Sequence, residues 1–195
     1  MAIRRVKEEI RILGIDDAPH KKDDEKTLLV GTVFRAGSYL DGVISEIIER
    51  DGNDSTEKII QMFEKTGHKD QIRVIMLNGI TFAGFNVADI QEISKRTKTP
   101  VIVVIREKPD FDAIHKALMK VGESEEKWEL HRKAGEVKSI GINSGRVYFQ
   151  HVGIEESQAR EIISKTCTHS TYPEPLRISH IIGAGIKLGR SRKGK

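Results

Sequence analysis

Three apolar runs near the start of the chain decide its fold. They are IRILGID (Ile10–Asp16), TLLVGTVFR (Thr27–Arg35) and YLDGVISEII (Tyr39–Ile48), and no helical pattern separates them. The second run is apolar at nearly every position, which is typical of a strand buried on both faces. Only a short turn that contains Gly37 separates it from the third run, so these two runs predict a hairpin.

The pattern changes after residue 50, where helices and strands begin to alternate. Asp54 and Glu57 have the spacing of a capping box, which predicts that a helix starts at Asp54. The apolar run Ile72–Leu77 predicts a strand, and Asn86 with Asp89 predicts the start of a second helix. The remaining predicted elements are the strand Val101–Ile105, helices over Asp110–Val121, Ser124–Arg132, Glu155–Lys165 and Leu176–Leu188, and a small peripheral hairpin within Glu136–Val152.

The order of these elements predicts an α/β protein with an RNase H-like fold. Three strands come first and helices then alternate with strands, which gives an antiparallel meander followed by right-handed βαβ units. Such a chain builds a mixed sheet with helices on both faces. A flavodoxin-type sheet would need a helix between the first strands. We expect one domain over residues 1–186 and a basic tail over residues 187–195.

The composition excludes several classes of protein. The chain has 195 residues, of which 37% are hydrophobic and 32% charged, as in ordinary globular proteins. No apolar stretch approaches the ~20 residues of a membrane-spanning helix, and the N-terminal segment carries charges where a signal peptide needs an apolar run. We therefore expect a cytoplasmic protein. Cys167 is the single cysteine, so an internal disulfide and a cysteine-based zinc site are both excluded.

Positive charge is concentrated at the C-terminus. Without the last nine residues, the formal net charge falls from +4 to −1. We expect this tail to contact the phosphates of DNA or RNA. The alternative is a frayed terminus that only aids solubility. The candidate phosphate contacts in the tail are Lys187, Arg190, Arg192 and Lys193.

Polar residues follow three of the predicted strands. Asp16 and Asp17 end the first run, Asn78 follows Ile72–Leu77, and Arg106 follows the strand Val101–Ile105. Sites in α/β sheets gather at the carboxyl ends of parallel strands, so we expect these groups to lie close together. Oxygen ligands of this kind suit Mg²⁺ or Mn²⁺. Such ions promote displacement at phosphorus, which makes phosphodiester cleavage the expected chemistry.

Five segments resemble an uncharacterised, mainly archaeal family that is distantly similar to endonuclease V. They are ILGIDDAP, LLVGTVFRAG, YLDGVI, VIMLNGITFAGFN and PVIVVIREKP, and the resemblance covers nearly the whole chain. The similarity to endonuclease V implies an RNase H-like fold. It also implies cleavage of DNA or RNA near deaminated bases, with Mg²⁺ held by three acids.

The resemblance assigns candidate site residues one by one. Gly14-Ile15-Asp16 is similar to the Gly-Val-Asp pattern of the first acid, and Leu77-Asn78-Gly79 takes the place of the Val-Asp-Gly pattern of the last acid. Asn78 offers an oxygen to a metal ion, but it adds no charge and cannot act as a base. Asp54 is the nearest candidate for the middle acid. The resemblance thus implies Asp16, Asp17 and Asp54 as catalytic residues, and Asp16, Asp54 and Asn78 as metal ligands.

A further candidate lies in the predicted hairpin. Tyr39-Leu40-Asp41-Gly42 resembles the middle of the Pro-Tyr-Ile-Pro wedge with which endonuclease V probes the damaged base. Both prolines are missing here. The resemblance implies that Tyr39 contacts nucleic acid.

Each candidate also has a structural interpretation. Asp16 and Asp17 could support a turn before Pro19, and Asn78 could support a turn with the glycine that follows it. Asp54 could be only a helix N-cap, because the capping box already explains it. Asn86 is predicted to cap the second helix. The seven histidines show no metal-ligand spacing, so they are predicted to be surface or packing residues.

Three functions remain open. The first is a metal-dependent nuclease or other phosphodiesterase, in which substitution of Asn78 by Asp should raise activity. The second is a non-catalytic nucleic-acid-binding protein that has lost the acids. The third is an interaction domain or a small-molecule-binding domain with a pocket near Asp17 and Phe82.

Overall fold

One mixed seven-stranded sheet organises the protein. In the computed structural model, which describes residues 5–120, 124–143 and 145–191, the strand order of this sheet is β3-β2-β1-β4-β7-β9-β8. The strands are β1 (Arg11–Asp17), β2 (Lys26–Arg35), β3 (Tyr39–Glu49), β4 (Ile72–Asn78), β5 (Thr81–Phe82), β6 (Asn86–Val87), β7 (Val101–Ile105), β8 (Lys138–Ile142) and β9 (Gly145–Val152). The helices are α1 (Ser55–Lys65), α2 (Ile90–Thr97), α3 (Phe111–Leu118), α4 (Ser124–Lys133), α5 (Glu156–Thr166) and α6 (Glu174–Leu188).

The sheet has the predicted RNase H-like order. β1, β2 and β3 form an antiparallel meander, while β1, β4 and β7 run parallel to one another. The carboxyl ends of these three parallel strands therefore meet at one edge of the sheet. None of the helices in the described part of the chain is long and apolar enough to cross a membrane.

The hairpin β8–β9 belongs to the main sheet and is not peripheral. β9 pairs antiparallel with β7, with Val101 opposite Val152 and Ile105 opposite Tyr148. Within this hairpin, only β8 lies at an edge of the sheet. The alternating pattern of this segment predicted the hairpin but contained no information about its docking on β7. The two-residue strands β5 and β6, which form a separate small hairpin, were not predicted.

Two apolar layers cover the sheet. Alternate residues of β1 divide between them, so Leu13 and Ile15 pack on the side of α1 and α2, while Ile12 packs on the side that carries α5 and α6. Because side chains alternate along a strand, Asp16 and Asp17 point to opposite faces of the sheet. Asp16 faces the α6 side.

The capping box predicted at α1 is wrong. Asp54 is the N-cap residue, but its side chain makes no cap hydrogen bond, and Glu57 pairs instead with Arg96 of α2. The backbone N–H of Ser55 donates to Oδ1 of Asn86, at 3.0 Å. Asn86 therefore caps α1 from β6, whereas α2 is capped by Asp89, whose carboxylate accepts from two backbone N–H groups. Asn86 and Asp89 are both helix-capping residues, as predicted, but Asn86 caps α1 and not α2.

Candidate functional site

Asp16 lies near the carboxyl end of β1, the strand that pairs with β2 on one side and with β4 on the other. Its side chain is almost fully buried, with the residue 3% exposed. Oδ1 accepts hydrogen bonds from the backbone N–H of Asp17 at 3.0 Å and from Nδ2 of Asn78 at 2.7 Å. Asn78 ends β4, the parallel neighbour of β1, so the structure brings together the two residues that the strand-end argument placed side by side.

His180 completes the hydrogen bonding of Asp16. Its Nδ1 atom donates to Oδ2 of Asp16 at 2.9 Å. This hydrogen bond raises the pKa of His180, against the opposing effect of partial burial. Slightly more than half of the imidazole is exposed, so the pair lies at the protein surface. His180 is thus a surface residue, as predicted, but its contact with Asp16 was not predicted from the sequence.

Close packing of α6 on β1 explains the position of His180. A Cβ atom at Gly14 would lie 2.4 Å from Cβ of Pro175, so only glycine admits the helix at this distance. Oγ of Ser179 lies 2.9 Å from the carbonyl oxygen of Gly14, and Gly183 packs against Ala18. The small residues Ser179 and Gly183, four positions apart, are the sequence signal for this close face of α6. His180 follows directly after Ser179.

Tyr172 links Asn78 to the neighbouring strand. Its hydroxyl donates to Oδ1 of Asn78 and also lies 3.0 Å from the carbonyl oxygen of Val104. Burial raises the pKa of this phenol, so it stays protonated. The guanidinium of Arg106 stacks on the Tyr172 ring, with Cζ 3.8 Å from the ring centroid. Neither Tyr172 nor its contact with Arg106 was predicted from the sequence.

Asp17 occupies the opposite face of the sheet. Its Oδ2 atom accepts from the backbone N–H of Ala83 at 3.1 Å and lies 3.6 Å from Nδ1 of His20. Burial, and then the charge of Asp16, raise the pKa of Asp17 to about 6. The N–H groups of Gly79 and Ala83 both donate to protein acceptors, so these two amides are not free to receive a phosphate.

Asp54 lies in a different hydrogen-bond network. Its Oδ1 accepts from Nδ2 of Asn86 at 2.6 Å and from the backbone N–H of Glu49 at 3.3 Å. None of its recorded contacts within the described part of the chain reaches Asp16. Strand pairing brings Glu46 of β3 level with Asp17 across β2, but its carboxylate pairs with Lys65. Among the described residues, neither Asp54 nor Glu46 thus lies beside Asp16 as the middle acid that the resemblance implies.

The residues predicted to contact nucleic acid lie at two places. Tyr39 pairs with Arg35, which pairs with Arg11 at the amino end of β1. Arg11 lies five residues before Asp16, and a strand rises about 3.3 Å per residue. Tyr39, which is level with Arg11, therefore lies about 17 Å from Asp16 along the strand direction. Lys187 belongs to α6 and pairs with Asp24 at 3.0 Å. Arg190 is exposed, while Arg192 and Lys193 lie outside the described residues.

The fit of a metal ion depends on Asp16 and Asn78. Within residues 5–120, 124–143 and 145–191, no three His, Cys, Asp or Glu side chains are grouped so that they could hold one. Asp16 supplies a carboxylate, and Asn78 now presents its amide nitrogen to it. If the amide turns by 180°, Asn78 offers oxygen instead, and Tyr172 can donate to Val104. This small set of hard oxygen donors fits a Mg²⁺ or Mn²⁺ ion that keeps several waters.

Comparison with known protein families assigns the chain to one family. Residues 8–187 match the family model described as endonuclease dU. The chain belongs to the endonuclease dU family. Its relatives include a UPF0215 protein from Methanothermobacter thermautotrophicus, which is 48% identical over 97% of this chain and 93% of the relative.

Solved structures show a similar fold. A protein of unknown function from Archaeoglobus fulgidus has a TM-score of 0.81 and 37% identity, and covers 90% of this chain and 97% of its own. Endonuclease V from Ciona intestinalis, in complex with inosine-containing DNA, has a TM-score of 0.53 and 13% identity, over 87% of this chain and 82% of its own. The similarity to endonuclease V shows that this chain has the fold of that enzyme.

Proposed function

We propose that this member of the endonuclease dU family is a Mg²⁺- or Mn²⁺-dependent endonuclease that cuts DNA at deoxyuridine. The observation that carries the proposal is the buried carboxylate of Asp16 at the carboxyl edge of the sheet, joined to Asn78 and His180. The name of the family supports deoxyuridine as the recognised base. The Ciona enzyme, which has the same fold, was solved with DNA that contains inosine, another deaminated base.

Asp16 and Asn78 would hold the ion. Asp16 supplies the negative charge, and Asn78 supplies an amide oxygen after its side chain has turned. When bound, the ion stabilises negative charge that develops on the phosphate during cleavage. His180 holds Oδ2 of Asp16 in place, and its exposed imidazole can exchange protons with a bound substrate. Asp17 adds a second carboxylate on the opposite face of the sheet, and Asp54 stays a predicted ligand whose recorded contacts lie elsewhere.

The end of α6 would bring the basic tail to the substrate. α6 follows the direction of β1, because Pro175 packs on Gly14, His180 bonds to Asp16 and Gly183 packs on Ala18. With a rise of about 1.5 Å per residue, Lys187 lies about 10 Å beyond His180 along the helix axis. The tail therefore starts on the same side of the sheet as Asp16. Contacts between its cations and phosphates would make binding sensitive to salt.

Cleavage of defined oligonucleotides tests the proposal. We would incubate labelled duplexes that contain one deoxyuridine, one inosine or only normal bases with the protein and Mg²⁺ or Mn²⁺. We expect a cut near deoxyuridine that chelation with EDTA prevents. Asp16→Asn should abolish it, and the matched control Asp70→Asn, at an exposed acid before β4, should retain it. The proposal would be overturned if the protein cut none of these substrates in a metal-dependent way.

A non-catalytic nucleic-acid-binding protein is the second candidate. The observation that favours it is the amide of Asn78, which already satisfies Oδ1 of Asp16 without a cation. In this case the deoxyuridine duplex would bind with the same affinity in EDTA and in Mg²⁺, and no product would form. Asp16→Asn would then leave binding unchanged.

A further inference from the structure

Arg106 is held at the candidate site by an aromatic ring and not by an acid. Its guanidinium stacks 3.8 Å from the centroid of Tyr172, which is 2% exposed. The ring is itself fixed, because its hydroxyl bonds to Asn78 and lies 3.0 Å from the carbonyl oxygen of Val104. Stacking uses one face of the planar guanidinium and leaves its N–H groups free at the rim. Arg106 is thus oriented without the use of its donors.

Most other arginines in the described part of the chain use their donors on the protein itself. Over residues 5–120, 124–143 and 145–191, Arg106 has no recorded hydrogen bond and no ion pair with an acid. The arginines with acidic partners are Arg11 and Arg35 on Asp41, Arg50 on Asp51, Arg96 on Glu57, Arg132 on Glu129, Arg160 on Glu156 and Arg177 on Glu174. An oriented guanidinium with free donors is suited to an external anion, because its forked N–H groups match phosphate oxygens.

The free guanidinium lies beside the groups of the proposed site. Arg106 follows β7, whose carboxyl end adjoins that of β4. Tyr172, on which Arg106 stacks, bonds through its hydroxyl to Asn78, and Asn78 donates to Oδ1 of Asp16. Arg106 therefore lies at the same edge as Asp16, on the α6 side of the sheet. A phosphate placed near Asp16 would lie within reach of this cation.

We infer that Arg106, stacked on Tyr172, binds a phosphodiester group of the nucleic-acid strand beside Asp16. This inference rests on the proposed function, because it deepens the description of that same site. Arg106 would give a bidentate contact to two phosphate oxygens, which a lysine cannot reproduce with its single ammonium. The Tyr172 ring would act as the support that keeps the fork in place.

Binding measured apart from cleavage tests this inference. Fluorescence anisotropy of a labelled deoxyuridine duplex would be followed in EDTA at several salt concentrations. We expect Arg106→Gln to weaken binding by about 10- to 100-fold, in the range of a charged hydrogen bond. The slope of log K against log salt should fall by about one. Arg106→Lys should weaken binding less. Arg73→Gln, which removes one cation at the opposite end of β4, is the matched control and should change neither quantity.

Two further variants separate binding from support. Tyr172→Phe keeps the ring but removes the hydroxyl that fixes it, so it should lower the affinity for DNA less than Tyr172→Leu, which removes the platform and should lower the affinity as Arg106→Gln does. Unchanged melting temperatures would exclude unfolding as the cause. Arg106→Gln with wild-type affinity and salt slope would overturn the inference, and so would wild-type protein that does not bind DNA. Binding that depends on Arg106 without cleavage would overturn only the proposed nuclease activity.

Discussion

The Nδ1 atom of His180 lies 2.9 Å from Oδ2 of Asp16, although 164 positions separate the two residues in the chain. The contact exists because Gly14, two positions before Asp16, lets α6 pack directly on β1. A carboxylate that accepts from an imidazole keeps its orientation, and the imidazole keeps its Nδ1 atom protonated. The pair therefore couples the strand end that would bind the metal to the helix that leads to the basic tail.

Substitution of His180 should reduce cleavage without unfolding the protein. We expect His180→Gln to lower the rate by about 10²-fold, a typical loss when an acid–base group is removed. Because Asp16 raises the pKa of His180, a plot of the wild-type cleavage rate against pH should show an inflection above pH 6.5, where His180 ionises. This inflection should be absent in His180→Gln. His169→Gln, at an exposed histidine in the loop before α6, is the control. The same inflection in the wild type and in His180→Gln would exclude a role for His180.

Asn78 should set the affinity of the site for metal ions. In Asn78→Asp, a second carboxylate would face that of Asp16 in place of the amide that now bonds to it at 2.7 Å. The two carboxylates would repel each other unless a cation lies between them. We expect lower stability in EDTA and at least about tenfold tighter binding of Mn²⁺ by titration calorimetry, since like charges at this distance interact strongly. Activity should rise as well.

The control for this substitution is Asn143→Asp, in the exposed turn between β8 and β9. It adds the same charge without contact to Asp16. Equal Mn²⁺ affinity in the wild type and in Asn78→Asp would show that position 78 does not contact the ion.

The sequence contained the local parts of this site but not its long-range parts. Asp16 and Asn78 could be paired in advance, because residues at the carboxyl ends of parallel neighbours must meet. His180 could not, because its partner depends on the packing of a helix 164 positions away. The same limit explains Asn86, which looked like the cap of the helix that follows it and instead caps α1, 31 positions earlier. Capping patterns show which residues can cap but not which helix they reach.

Asp41 should stabilise the protein in a pH-dependent way. Its carboxylate accepts from Arg35 and Arg11, and these hydrogen bonds, led by those from Arg35, lower the pKa of Asp41 to about 2. A carboxyl whose pKa is lowered by folding stabilises the protein above its unfolded pKa, and this contribution is lost as the pH falls toward 2. We expect Asp41→Asn to reduce the free energy of unfolding by about 1 kcal/mol at pH 7, after allowance for solvent screening.

Urea denaturation at pH 7 and at pH 3 checks this expectation. The difference between wild type and Asp41→Asn should shrink at the lower pH, because the wild-type carboxylate begins to protonate there. Asp70→Asn, at an exposed position, should show no such trend. A difference that stays constant between the two pH values would mean that the ionised form of Asp41 contributes nothing.

Gly14 of β1, which packs against α6, and Gly185 within α6 should respond in opposite ways to the same substitution. A Cβ atom at Gly14 would lie within 2.9 Å of backbone atoms of Pro175, so Gly14→Ala must displace α6 and should cost about 3 kcal/mol. A Cβ atom at Gly185, on the same helix, meets nothing within 4 Å, so Gly185→Ala should stabilise the helix by about 1 kcal/mol. Thermal unfolding of both variants measures these changes. Gly14→Ala should also lose cleavage, because displacement of α6 separates His180 from Asp16, whereas Gly185→Ala should retain it. A stable and active Gly14→Ala protein would contradict the argument that this close contact positions the site.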